Sequence, residues 1–263
     1  MTDVRITHIG GPTTLIETGG WTILTDPTFD PPGRRYAFGW GTSSRKRTGP
    51  ALAATNLAPI DAVLLTHDHH GDNLDDTGRT LLGRADAVLT TPAGARRLGG
   101  NARGMAAWST TRLHAPGRPT ITVTATPARH GPLPLRPLLG QVTGFALTWE
   151  GQRHGALWIS GDSVLYRGLR QVAERLTVGT ALLHLGGVRF PVTGPVRYTM
   201  TAGQAVRLCA ELRPHTAIPV HYEGWQHFAE GRTGVEGVLA AASADIRDRF
   251  LWLPLGAPQQ LEV

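Results

Sequence analysis

Short apolar runs, broken by Gly-Gly pairs, prolines and polar clusters, recur along the chain, and their period changes from one part to the next. The first segment, VRITHIGGPTTLIETGGWTILTDPTF, has strand-like runs interrupted at Gly-Gly, which predicts two or three antiparallel strands joined by tight turns. DPPGRRYAFGWGTSSRKRTGPALAATN follows, rich in Gly, Pro and polar residues. A loop of that length inside a compact domain is either functional or disordered. From there strands and helices alternate. DAVLLT, DAVLTT, PTITVTATPAR, TGFALTWEG, GALWISGDS, TALLHLG and TAIPVH read as strands, and RFLWLPL as a last short one. DDTGRTLLGRA, PAGARRLGG, LYRGLRQVAERL, TAGQAVRLCAELRP and GVEGVLAAASADI read as helices. Strand-rich first and alternating afterwards, the order fits a mixed sheet layered with helices or a sandwich of two such sheets; pattern alone leaves both open.

Composition narrows this picture only a little. The chain has 263 residues, 41% of them hydrophobic, enough for one large domain or two small ones with a sizeable core. No apolar run reaches the ~20 residues that span a bilayer. The start, MTDVRITHIGG, lacks a basic region followed by an apolar one, so no secretory leader is expected and a cytoplasmic location is the default. The single cysteine, Cys209, excludes an intramolecular disulfide and reads as a buried helix residue. The formal charge of +6 is nearly all arginine, since Lys46 is the only lysine. Arg, Ala, Gly and Pro richness without lysine points to a GC-rich genome more than to a partner. Only Arg34, Arg35, Arg45, Lys46 and Arg47 cluster. Nucleic acid is therefore a weak expectation, and a small anionic substrate steered by the arginines suits the charge about as well.

Chemistry enters at the ends of the apolar runs. His67, His69, His70 and Asp72 follow AVLLT; His130 follows ITVTATPAR; Asp162 follows ALWISG; His221 follows TAIPV. Imidazoles and carboxylates bind zinc and related divalent ions, and in layered α/β folds sites form where loops leave strand ends. Four strands that each end in metal-type side chains point to one metal site. His114, His154 and His215 lie in polar turns and read as solvated, and His8 in the first strand reads as structural.

The motifs THIGGPTTLIE, LTDPTF, THDHHGDNLD, PARHG, SGDS, TMTAGQAV and IPVHYEGW, in that order, resemble those of the metallo-β-lactamase superfamily. The likeness runs from about Val4 to about Leu255 and is nearest to the branch of ascorbate-phosphate lactonases and N-acyl-phosphatidylethanolamine phospholipase D. It implies an αββα four-layer sandwich formed by residues 1–263 as one domain, with the metal site between the sheets. The family motif H-x-H-x-D-H is altered here. The stretch is one residue longer, and Asn73 replaces the final histidine. The second histidine is His69 counting forward, the assignment favoured here, or His70 counting back from Asp72. The resemblance then implies a first ion held by His67, His69 or His70, His130 and Asp162. A second would be held by Asp72, Asp162, His221 and the Asn73 side-chain oxygen. A site poorer in nitrogen leans from zinc toward manganese, so one or two ions of either metal are expected.

A divalent ion lowers the pKa of bound water from 15.7 toward ~7, which implies hydrolysis of a small ester, lactone, amide or phosphoester. Asp72 is expected to orient the nucleophile and shuttle a proton, and His184 and His227 are the candidates to stabilise the oxyanion. Asp26 reads as a turn or supporting residue. Arg35, Tyr36 and Trp40 of the long loop, with Tyr222, Trp225 and His227, are expected to bind substrate. The rival readings are a nuclease or phosphodiesterase and a non-catalytic module with a degraded second site. Restoring imidazole by Asn73→His should tighten the second ion, measured by titration against a competing chelator; unchanged affinity means that Asn73 does not face it.

Overall fold

The computed structural model describes residues 3–133 and 139–263. Alternate residues of single strands enter different cores, and this divides the molecule into layers. Ile23, Leu64 and Leu89 point into a central core while their neighbours Leu24, Val63 and Val88 point into a second one. Likewise Phe145, Leu157, Leu182 and Ile218 point inward while Ala146, Trp158, Leu183 and Ala217 point outward. A strand buried on both faces needs a layer on each side. Two sheets face one another, and helices cover both outer surfaces.

The first sheet contains β1 (Val4–Gly10), β2 (Thr13–Thr18), β3 (Trp21–Thr25), β6 (Ala62–Leu64), β7 (Ala87–Thr90), β8 (Ala102–Gly104) and β15 (Gln259–Leu261), in the order β15-β1-β2-β3-β6-β7-β8. The second contains β9 (Thr110–Leu113), β10 (Ile121–Pro127), β11 (Thr143–Thr148), β12 (Ala156–Ile159), β13 (Val178–His184) and β14 (Thr216–Val220), in the order β14-β13-β12-β11-β10-β9. Helices α1 (Asp76–Leu82) and α2 (Pro92–Leu98) follow strands of the first sheet. Helices α3 (Arg167–Arg175), α4 (Ala202–Leu212), α5 (Arg232–Ala240) and α6 (Ala244–Arg247) accompany the second. This is the αββα sandwich that the sequence implies. Strands β12, β13 and β14 are parallel, and β10 runs the same way because β11 is antiparallel to both β10 and β12. All four therefore end at one edge.

Local sequence explains the helix boundaries. Asp75 caps α1 by accepting from the Gly78 amide, Thr91 caps α2 ahead of Pro92, and Thr201 with Gln204 forms a capping box on α4. Cys209 is buried on α4, and burial pushes its thiol up to about 12.

Three expectations are corrected. The long loop contains a hairpin, β4 (Arg35–Gly39) paired with β5 (Thr42–Arg45), because Gly39 and Gly41 permit the tight reversal. RFLWLPL is not a strand: Leu253 enters the central core while Phe250 and Trp252 pack on the outer one, and Pro254 has no amide to donate. The last strand is β15, antiparallel to β1. His154 and His215 are not simply solvated, since their rings stack at 3.8 Å with an interplanar angle of 5°.

Helix α1 is pressed against the segment after β3. A Cβ on Gly78 would lie 1.9 Å from the Pro27 carbonyl oxygen. Gly78→Ala should therefore lower stability by about 1–3 kcal/mol despite alanine's better helix propensity, measured by urea denaturation. A neutral or stabilising result would mean that this contact is loose.

Candidate metal centre

The edge where β10, β12, β13 and β14 end is where the candidate side chains meet. His130 lies beyond β10, Asp162 beyond β12, His184 ends β13, and His221 follows β14. The first sheet supplies the loop after β6, with His67, His69, His70, Asp72 and Asn73. Ligand atoms of His67, His69 and His70 lie within 4.8 Å of one another, as do those of His67, His130 and Asp162, and those of Asp72, Asp162 and His221. Asp162 joins the last two groups, and His67 the first two.

Distances define the centre more closely. His67 Nε2 and His70 Nδ1 are 3.1 Å apart. His221 Nε2 stands 3.5 Å from Asp72 Oδ2 and 3.5 Å from Asp162 Oδ2. These side chains are buried, His67, Asp162 and His221 completely. Yet His69 Nδ1, Asp72 Oδ1, Asn73 Oδ1, both Asp162 oxygens and His221 Nε2 have no hydrogen-bond partner. Buried polar atoms left unpaired cost about 1–3 kcal/mol each, more when charged, so such a cluster requires a common partner. A divalent cation supplies one, and the nitrogen and carboxylate donors suit it.

Three of the imidazoles are also held from behind. His130 Nδ1 bonds to the Tyr198 carbonyl at 2.7 Å, His69 Nε2 to that of Leu139 at 2.8 Å, and His67 Nδ1 to Thr66 Oγ1 at 3.1 Å. Such contacts fix ring orientation and tautomer. The backbone is strained at the same place. His221 has φ +57° and Asp26 has φ +32°, conformations that cost non-glycine residues of order 1–3 kcal/mol.

Burial and mutual repulsion keep the imidazoles of His67 and His70 neutral well below their ordinary range, and burial takes His130 to about 4. Their nitrogen lone pairs are thus available. Burial raises Asp162 to about 6 against the pull of His221. For His221 burial acts downward, but Asp162 and Asp72 raise it to about 9. Burial also acts on Asp72, where the nearby His221 and the His227 hydrogen bond prevail and hold the carboxyl well below its usual range.

Several expected site residues sit elsewhere. His184 does not offer a free donor: Nε2 meets Asp26 Oδ2 at 3.2 Å, and Nδ1 lies 3.5 Å from Ser160 Oγ. Asp26 in turn accepts from Thr66 through its amide and hydroxyl, so the pair braces the histidine loop from beneath. Arg35 is exposed and donates to Ser43 Oγ at 2.8 Å on the hairpin. Tyr36 is buried with its hydroxyl on Asp30, and its ring packs so closely that a Cβ on Gly71 would lie 2.5 Å from it. Tyr222 belongs to the outer core and packs edge-on to Trp252. Trp225 is buried behind the wall, against Tyr36 and Phe38. Trp40 and His227 do line a cavity of about 230 Å³ that has His70, Asp72 and His130 at its floor.

Two features escaped the sequence. His227 Nε2 is 2.8 Å from Asp72 Oδ2 while Nδ1 contacts Ser44 Oγ at 2.5 Å, which ties the hairpin to the centre. Its place near His221 in the chain was the only signal. Lys46, the sole lysine, is buried and bonded to Asp75 at 2.9 Å and to the Thr28 carbonyl at 3.1 Å. It looked like part of a basic cluster, but it anchors the hairpin to the cap of α1.

Comparison with known proteins agrees with this layout. The family described as "Beta-lactamase superfamily domain" matches residues 21–222. A UPF0173 metal-dependent hydrolase of Deinococcus radiodurans is 33% identical over 223 residues, 83% of this chain and 84% of the relative. Among solved structures, isothiocyanate hydrolase from Delia radicum gut bacteria superposes with TM-score 0.78 at 20% identity, covering 98% of this chain and all of that one. Igni18, a metallo hydrolase from Ignicoccus hospitalis, gives TM-score 0.68 at 21% identity over 99% of both chains. At these identities the two structures speak for a shared fold.

The titrations predict an acid-sensitive metal-free protein. Near pH 5, His67, His70, His130 and His184 (lowered to about 3) are neutral when folded and charged when unfolded. Asp162 and Asp26 (raised to about 7) act oppositely, holding protons only when folded, while His221 is charged in both states. Four against two leaves the unfolded chain binding more protons, so stability falls as pH drops from about 6.5 toward about 4. Urea midpoints of chelator-stripped protein at pH 7 and pH 5 test this; an unchanged midpoint contradicts it.

Proposed function

We propose, for a chain that belongs to the metallo-β-lactamase superfamily and within it to the UPF0173 metal-dependent hydrolases, a two-ion hydrolase of a small-molecule ester, lactone, amide or phosphoester. The observation that carries this reading is the ring of buried, unpartnered nitrogen and oxygen atoms drawn from both sheets. Because both sheets contribute, residues 1–263 are treated as one functional unit. His67, His130, Asp162 and either His69 or His70 would hold a first ion. Asp72, Asp162 and His221, with Asn73 Oδ1 beside them, would hold a second. Zinc suits the imidazole-rich first group, and manganese or zinc the second. Bound there, the ions supply Lewis acidity and a nucleophilic water at neutral pH.

The chain's own residues do the rest. The cavity floor presents the reacting bond to this centre. Asp72, held anionic by His221 and His227, accepts a hydrogen bond from the attacking water and orients it. The Asp26–His184 pair keeps the loop after β6 in place. The walls exclude bulk water, which strengthens every charge interaction inside. The branch of lactonases and phospholipase D is the nearest motif likeness, and the isothiocyanate hydrolase neighbour adds another small electrophile to test.

Action on nucleic acid has less support. Part of the basic cluster is engaged internally, Arg34 with Asp30 and Asp76, and Lys46 with Asp75. A non-catalytic module is also disfavoured, because Asn73 is the only changed position of the motif's ligand set. A cytoplasmic location remains part of the reading; no described helix is long and apolar enough to cross a membrane.

Metal analysis of protein purified without chelators should return more than one ion per chain, and a panel of lactones, phosphodiesters, esters, amides and isothiocyanates should reveal turnover. His130→Ala and Asp162→Ala should each lower kcat by at least about 100-fold with the circular dichroism spectrum retained. Retained turnover in either variant refutes the assignment.

A further inference from the structure

The cavity above the centre has a chemical character of its own. Its walls are Phe38, Trp40, Val188, Phe190, Leu139 and Tyr198, and no arginine or lysine lies among its described lining residues. His227 and both threonines on the walls are already engaged. His227 has one ring nitrogen on Asp72 and the other on Ser44, and its ring is stacked on Phe190 at 5.1 Å and 9°. Thr42 and Thr193 hydroxyls donate to the Gly39 and Phe190 carbonyls.

The arginines beside lining residues in the chain do not change this. Arg197 donates to the Gly187 carbonyl, Arg129 lies over the Tyr166 ring, Arg35 lies against Ser43 on the hairpin, and the exposed Arg189 is not among the described lining residues. An anionic substituent entering here would lose its hydration and find no cation among the described side chains of the walls, a cost that apolar contacts do not offset. An uncharged hydrocarbon group loses nothing by leaving water and gains in proportion to the area it buries. The volume of about 230 Å³ exceeds the ~150 Å³ of a cavity that takes benzene.

Resting on the hydrolase reading above, we infer that the substrate carries an uncharged apolar group of about benzyl size next to the bond that is cut, and that this group fills the Phe38–Phe190 cavity. This replaces the small anionic substrate suggested by the net charge. The net charge reports arginines paired or exposed elsewhere, whereas selection depends on the walls that the group touches. Trp40 is 73% exposed at the rim with φ +51°, on the hairpin that forms one wall, and is placed to cover the bound group.

Three metal-binding probes separate this inference from the reading beneath it. Acetohydroxamic, phenylacetohydroxamic and 4-carboxyphenylacetohydroxamic acids share one metal-binding head and differ only in the tail. Isothermal titration calorimetry on the metal-loaded protein should show the phenylacetyl probe binding on the order of 10- to 100-fold tighter than the acetyl probe. The added carboxylate should erase that gain. Phe190→Arg should reverse the order of the two aromatic probes, and Trp40→Arg, at an exposed position, is the variant to use if Phe190→Arg does not fold. Equal affinity for the acetyl and phenylacetyl probes, or preference of the natural protein for the carboxylate, overturns the inference and leaves the metal centre standing. Failure of all three to bind metal-loaded protein overturns the centre, and the inference with it.

Discussion

Polar atoms buried without partners around one point are the constraint on which the rest of this structure depends. Two carboxylates, several imidazoles and an amide oxygen are withdrawn from water and face one another instead of satisfying one another. Such an arrangement is unfavourable in isolation. It persists because the surrounding fold over-determines it. Two hydrophobic sheets are locked face to face, and loops leaving their ends are fastened by backbone carbonyls, by the Asp26–His184 contact, and by the Lys46–Asp75 pair under the hairpin.

Those fastenings give the hairpin β4–β5 two distinct duties. Its inner side holds: Tyr36 presses on Gly71 of the histidine loop, and Ser44 meets His227, which in turn meets Asp72. Its tip covers, because Phe38 and Trp40 form part of the cavity wall. One element thereby couples the placement of a candidate ligand to the shape of the space above it. Electrostatics and selectivity are consequently linked. The aromatic rings of the walls and the absence of arginine and lysine among the described lining residues together favour an uncharged guest.

Legibility in the sequence differed from residue to residue for identifiable reasons. The strands that end in ligands were readable because their apolar runs are short, largely buried and closed by His or Asp. The edge strands β8 and β9 were not, since ARG and TTRL are polar and partly exposed and carry no periodic signal. The hairpin was hidden because its strands are short and set in a glycine-rich, polar segment. His184 was expected to stabilise the oxyanion because it ends a strand beside the centre. Proximity along a strand says nothing about whether Asp26 and Ser160 already occupy its nitrogens. Tyr222 and Trp225 were assigned to the wall because they follow His221, yet the backbone turns at that histidine and sends both side chains into packed interior.

The order of apolar runs and the kinds of side chain that close them were decided by the sequence alone, and with them the layered architecture and the class of chemistry. Period-2 burial and ligand type are local properties, written one residue at a time. Which nitrogens and oxygens remain unpaired, which aromatic rings enclose the space above them, and which charges are neutralised at a distance were decided only by the tertiary structure. Those outcomes depend on contacts between segments far apart in the chain, as between Asp72 and His227 or Asp162 and His221, and no local pattern encodes them.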